Sequence, residues 1–161
     1  MNDKRDDLDE FFQIEADRRD EQHAGSPLSR PLNPDYELIG IVGEAEFSHQ
    51  TGLPLQLKPT DGAGDGGIDF NVPLRYTVDV KCSPTPGHLF VDEGKVIADI
   101  YVLAGYRAED KTAYLIGWEW GRIVKKARAY DKYNKGIIAH TIPREQLRPM
   151  TELLSRVMRL V

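Results

Sequence analysis

Ile68-Asp69-Phe70-Asn71-Val72, three intervening residues, then Tyr76-Thr77-Val78-Asp79-Val80-Lys81-Cys82-Ser83: the reading of this stretch decides the fold. Strand side chains alternate between faces, so Tyr76, Val78, Val80 and Cys82 form an apolar side, and Thr77, Asp79, Lys81 and Ser83 a polar one. A tight turn centred on Leu74 sets Asn71 opposite Thr77 and Asp69 opposite Asp79. The same register places Phe70 and Val72 on the apolar side, opposite Val78 and Tyr76, so one hairpin satisfies every position.

Directly opposed residues have Cβ atoms about 5 Å apart. At that distance two carboxylates near a surface repel by roughly 3 kcal/mol at an effective dielectric of about 20, which a domain with about 5–15 kcal/mol of net stability feels. A hard divalent cation between them removes the repulsion, and an oxygen-only donor set favours magnesium or manganese over zinc. Alternatively Lys81, two residues along on the same face, neutralises the acids in a structural charge cluster. These residues alone leave both readings standing.

The 161 residues suit one α/β domain with a sizeable core. The one cysteine, Cys82, excludes a disulfide framework and points to a reducing compartment. No apolar run approaches the roughly 18 residues of a membrane span, and the N-terminus is acidic, so no membrane segment or signal peptide is expected and the expected location is cytoplasmic. The net charge of −5 is concentrated in residues 1–24, where nine acids face Lys4, Arg5, Arg18 and Arg19; the remainder is neutral overall.

The division is residues 1–34 as an acidic helix and Pro-rich arm, and 35–161 as the main domain. Leu8, Phe11, Phe12 and Ile14 make residues 7–22 an amphipathic helix able to pack on the body or on a second subunit, and three prolines between Pro27 and Pro34 preclude regular structure. A helix is predicted over 35–50, ending at Thr51-Gly52-Leu53-Pro54, with Glu44 at the border of its apolar stripe. Buried strands are predicted at Ile97–Leu103 and Ala113–Trp118, a helix at Gly121–Tyr133, a strand at Ile137–Ile142 and a helix from Arg144 broken near Pro149. Together these make an α/β sandwich with a mixed central β-sheet flanked by helices.

The loop Asp61-Gly62-Ala63-Gly64-Asp65-Gly66-Gly67 lacks the Gly-Lys-Ser/Thr of a phosphate-cradling loop and the ligand spacing of a calcium-binding one. Its glycines let the chain turn sharply beside the acids. Acid-x-Lys occurs three times, at Asp79-Val80-Lys81, Glu93-Gly94-Lys95 and Glu109-Asp110-Lys111, and only the first lies on a predicted strand opposite another aspartate.

Taken in order, Gly43-Glu44, Gly64-Asp65-Gly66-Gly67-Ile68-Asp69, Val78-Asp79-Val80-Lys81, Ala98–Leu103 and Gly117-Trp118 resemble the PD-(D/E)xK nuclease superfamily, the restriction-endonuclease-like fold, over roughly residues 35–120. The resemblance is one of pattern, and Ile68 stands where the family's name has proline. It implies that Asp69 and Asp79, with Glu44 and the carbonyl of Val80, hold Mg2+ or Mn2+, and that Lys81 positions or activates the attacking water. The implied activity is metal-dependent hydrolysis of DNA phosphodiester bonds; because cutting both strands of a duplex usually needs two active sites, dimerisation through the N-terminal helix is a further expectation. The alternatives are an inactive module of this fold that binds nucleic acid or a protein partner, and a phosphoesterase acting on a smaller substrate.

Arg122, Lys125, Lys126, Arg128, Lys132 and Lys135, interleaved with Tyr130 and Tyr133, make the one basic stretch with aromatics; Lys125, Lys126, Arg128 and Lys132 are its candidate phosphate contacts, or a solvated helix face. His49, Ser83 and His88 lie near the acids in sequence, as phosphate contacts or as loop and cap residues. Cys82 falls on the apolar side of its strand and no Gly-x-Ser-x-Gly element exists, so neither a cysteine nor a serine nucleophile is supported.

Overall fold

The computed structural model describes Gln13 and residues 35–159 apart from 57–66, 74, 132, 133 and 135. The amphipathic N-terminal helix, the Pro-rich arm, most of the Gly-rich loop, Lys132 and Lys135 lie outside the described residues.

Helix α1 (Tyr36–Thr51) ends as expected, at a left-handed Gly52 with φ 77° whose N–H bonds to the Ser48 carbonyl. The hairpin follows: β1 (Phe70–Val72) pairs antiparallel with β2 (Tyr76–Ser83) in the expected register, Phe70 opposite Val78, Asn71 opposite Thr77 and Val72 opposite Tyr76. Then come β3 (His88–Asp92), β4 (Ile100–Arg107), β5 (Thr112–Trp120), the single helical turn α2 (Gly121–Val124), β6 (Ala129–Asp131), β7 (Ile138–Pro143), a 3-10 turn (Arg144–Gln146), β8 (Arg148–Pro149) and α3 (Met150–Met158). The fold is mixed α/β with three α-helices among the described residues, none long and apolar enough to cross a membrane.

The strands form two sheets rather than one. The larger has the order β1-β2-β4-β5-β8 and is mixed, β2 and β4 being parallel and its other pairs antiparallel; the smaller is antiparallel with the order β3-β7-β6. Alternation along β4 assigns the layers. Ile100, Val102 and Ala104 pack with Phe47 of α1 and with Met150, Leu153 and Val157 of α3, while Tyr101 and Leu103 pack with Leu89, Val91 and Ile142 of the small sheet. The helices α1 and α3 therefore cover one face of the large sheet and the small sheet the other.

Three expectations are corrected. The strand foreseen from Ile97 begins at Ile100, because the N–H groups of Ile97 and Ala98 donate to the Tyr101 hydroxyl at 2.9 and 3.2 Å, and that hydroxyl donates to the Lys95 carbonyl. The helix foreseen over Gly121–Tyr133 stops after one turn. Beyond it Arg128 accepts the Thr141 N–H and Ala129–Asp131 pairs with Ile138–His140, so ladder bonds to β7 take over the backbone groups that a longer helix would need. The strand His88–Asp92 was not expected, although Leu89 and Val91 alternate inward between Gly87 and Gly94.

α1 runs antiparallel to β2 and close to it. Gly43 lies against Cys82 and Val80 near the end of β2, and Phe47 stacks on Phe70 of β1 at 4.9 Å. A Cβ on Gly43 would sit 2.5 Å from the Cys82 Cβ, so this crossing tolerates no side chain. Gly43→Ala is expected to lower stability: overpacking costs about 1–3 kcal/mol, more than the gain in helix propensity of up to about 1 kcal/mol. Urea unfolding of the two proteins checks this, and an unchanged midpoint would refute the close contact.

Candidate functional site

The candidate site forms where the edge strand runs out. β1 is three residues long and pairs with β2 no further than Val78, which leaves the N–H of Val80 without a ladder partner on that side. The Asp69 carboxylate supplies one: its Oδ2 accepts the Val80 N–H at 2.8 Å, while the Asp69 N–H bonds to the Val78 carbonyl at 2.9 Å. Because the N–H and C=O of a strand residue point the same way across a sheet, the Val80 carbonyl faces the same edge. Gly67, with φ 78°, adopts the left-handed backbone that glycine accepts without strain and brings the chain into this corner.

Asp79 lies one residue beyond Val78 on the face turned toward the small sheet, in register with Tyr101. The parallel register is locked nearby, where Asp99 Oδ2 accepts from both the N–H and the hydroxyl of Thr77 and the Asp99 N–H donates back to that hydroxyl. Asp69 and Asp79 are both buried, at 5% and 4% exposure. Lys81 reaches back along its strand so that Nζ lies 2.7 Å from Asp79 Oδ2, with 41% of its side chain still exposed.

Burial pushes the Asp79 carboxyl up; the Lys81 charge opposes this and the Asp69 carboxylate, by charge and by hydrogen bonding, reinforces it, so that its pKa is raised from 3.8 to about 7. Burial pulls the Lys81 ammonium down, but Asp79 and Asp69 together outweigh that and hold it above its usual range. Tyr36, in the first turn of α1, acts on Lys81 as well. Sequence reasoning missed Tyr36, which is far from Lys81 along the chain and belongs to no pattern with it.

Glu44 is buried at 4% exposure on α1, between the level of Gly43 against Val80 and that of Phe47 against Phe70, and its charge is felt by the Cys82 thiol. The structure thus joins Asp69, the Val80 backbone, Asp79 and Lys81 in one cluster. Among the described residues no group of three acidic, histidine or cysteine side chains is arranged as a ready cation cage. Burial pushes the Cys82 thiol up to about 12, leaving it a thiol at neutral pH and a poor nucleophile.

Lys125, Lys126 and Arg128 are exposed, but in the segment after α2 rather than along one helix face. His49 is exposed in the last turn of α1, the Ser83 hydroxyl caps the N–H of Thr85, and His88 opens β3 instead of lying in a loop.

Comparison with protein-family models, with curated proteins and with solved structures finds no match to this chain.

The raised Asp79 pKa has a consequence for stability. Below about pH 4 the carboxyl is protonated folded or unfolded; between there and pH 7 the folded protein keeps a proton that the unfolded chain has released, so stability falls as pH rises across this window and levels off above it. The full effect is on the order of 4 kcal/mol. Urea unfolding in chelator at pH 4.5, 6, 7 and 8 is expected to show that decline for the parent and a flatter profile for Asp79→Asn; parallel profiles would mean that Asp79 titrates normally.

Proposed function

We propose that the protein is a metal-dependent nuclease of the restriction-endonuclease-like kind, which hydrolyses DNA phosphodiester bonds with Mg2+ or Mn2+. The observation that carries this reading is the pair of buried carboxylates, Asp69 and Asp79, placed together where β1 ends, beside a half-exposed lysine. Burial, reinforced by the Asp69 charge, makes Asp79 hold a proton to about pH 7. A cation would relieve that cost. The donors on offer, two carboxylates and the Val80 carbonyl, are all oxygen and suit a hard divalent ion, with Glu44 as a supporting acid behind the edge.

A bound divalent ion supplies neutralisation of charge on the phosphoryl oxygens and the leaving alkoxide. The remaining work falls to the chain. Asp69, anchored by the Val80 N–H, presents a fixed oxygen at the edge. Asp79 would have to give up its proton to hold the ion, so occupancy would rise with pH through neutrality. Lys81 is a compact cation on a flexible stem; once Asp79 is otherwise engaged, its ammonium is free to hold the water that attacks phosphorus and to meet charge developing there.

A second reading draws on the internal pairing of both acids, Asp79 with Lys81 and Asp69 with the Val80 N–H. In that reading the cluster is structural, and the protein is a module that binds nucleic acid or a protein partner without cleavage. Plasmid nicking separates the two. Activity is expected with manganese, none with chelator, none for Asp79→Ala, and a loss of roughly 100-fold or more for Lys81→Ala. Absence of metal-dependent nicking in the full chain would leave the binding module as the correct description.

A further inference from the structure

On the small-sheet side, a cleft of about 820 Å3 opens between α2 and the strands β6 and β7. The two least exposed polar residues of its lining are Glu119, at 7%, and Thr141, at 9%. Glu119 is held rigidly, its Oε1 accepting the Trp120 N–H and the Arg148 Nε, each at 2.9 Å. The walls include Ile123 and Tyr130, 39% and 40% exposed, and the cationic residues of the lining include Lys126 and Arg128. Residues 122–128 contain Arg122, Lys125, Lys126 and Arg128 and no acid; all four are exposed, and Lys125, Lys126 and Arg128 make no ion pair among the described residues.

We propose that this cleft holds one splayed-out nucleotide of a single-stranded nucleic acid, its base against Tyr130 and Ile123, its amino edge toward Glu119 and its phosphates on Lys126 and Arg128. The charge pattern selects this occupant. A fixed buried carboxylate accepts N–H donors from a base edge, whereas the exposed cations beside it attract the backbone. An exposed aromatic ring offers a stacking face to any base. A duplex cannot use the arrangement, because pairing occupies the base edge and stacking closes its faces. The inference rests on the nucleic-acid part of the reading above and not on cleavage.

The test is fluorescence anisotropy with labelled 12-residue DNA oligonucleotides, single-stranded and annealed to their complements, in chelator so that no cleavage intervenes. Tighter binding of the single strand is expected, with oligo-dC and oligo-dA above oligo-dT. Tyr130→Ala is expected to weaken binding roughly tenfold, the loss of one stacked base. Lys126→Ala with Arg128→Ala should lower the slope of log affinity against log salt by about 1.4, two phosphate contacts on a single strand. Binding in chelator reads the cleft alone and nicking with manganese reads the Asp79 and Lys81 corner, so failure of nicking and failure of the cleft are separate results. Equal affinity for duplex and single strand, an unaffected Tyr130→Ala protein, or equal competition by poly-glutamate would each overturn the proposal.

Discussion

The Asp69 carboxylate accepting the N–H of Val80 at 2.8 Å is the contact on which the rest of the edge depends. It takes the place of a ladder bond that a three-residue β1 is too short to make, and so ends the sheet on that side without leaving a buried donor unsatisfied. In doing so it holds a negative charge beside Asp79, in a corner nearly closed to water. Burial in that corner raises the Asp79 pKa, the Lys81 ammonium paired at 2.7 Å opposes the rise, and the Asp69 charge adds to it.

Around this corner the fold is organised by close approach on one face and by a buried phenol on the other. Gly43 lets α1 press against Val80 and Cys82, which brings Glu44 to the level of the acids. On the opposite face the Tyr101 hydroxyl gathers the chain from Lys95 to Ala98, and its ring forms part of the contact between the two sheets. Tyr101 is in register with Asp79, so the same side chain that ties down the approach to β4 also walls the acidic cluster and keeps its dielectric low.

Much of this was legible in the sequence. Alternation from Tyr76 to Ser83 gave the two faces of β2, and the spacing across Leu74 gave its register with β1, because a one-residue slip would turn Phe70 and Val72 to the polar face and the short turn leaves little room for a longer slip. The helix ending at Gly52 was legible from its apolar spacing and its glycine stop. The extent of the basic stretch as a helix was not: residues 121–133 carry helix-compatible side chains throughout, and only the availability of β7 turned 129–131 into a strand. Nor could local pattern foretell that the N–H groups of Ile97 and Ala98 would be claimed by a hydroxyl three to four residues on.

Local sequence determined the β1–β2 hairpin and the helix that stops at Gly52, which of their faces are apolar, and that two aspartates and a lysine share one polar face, since each of these depends on neighbours within a few positions. Tertiary structure alone decided that the strands divide into two sheets, that Tyr36 comes near Lys81, and that Lys126, Arg128 and Tyr130 border a cleft with Glu119 inside it. Those outcomes depend on backbone groups finding partners far along the chain, and the strength of such pairing is not written in either partner by itself.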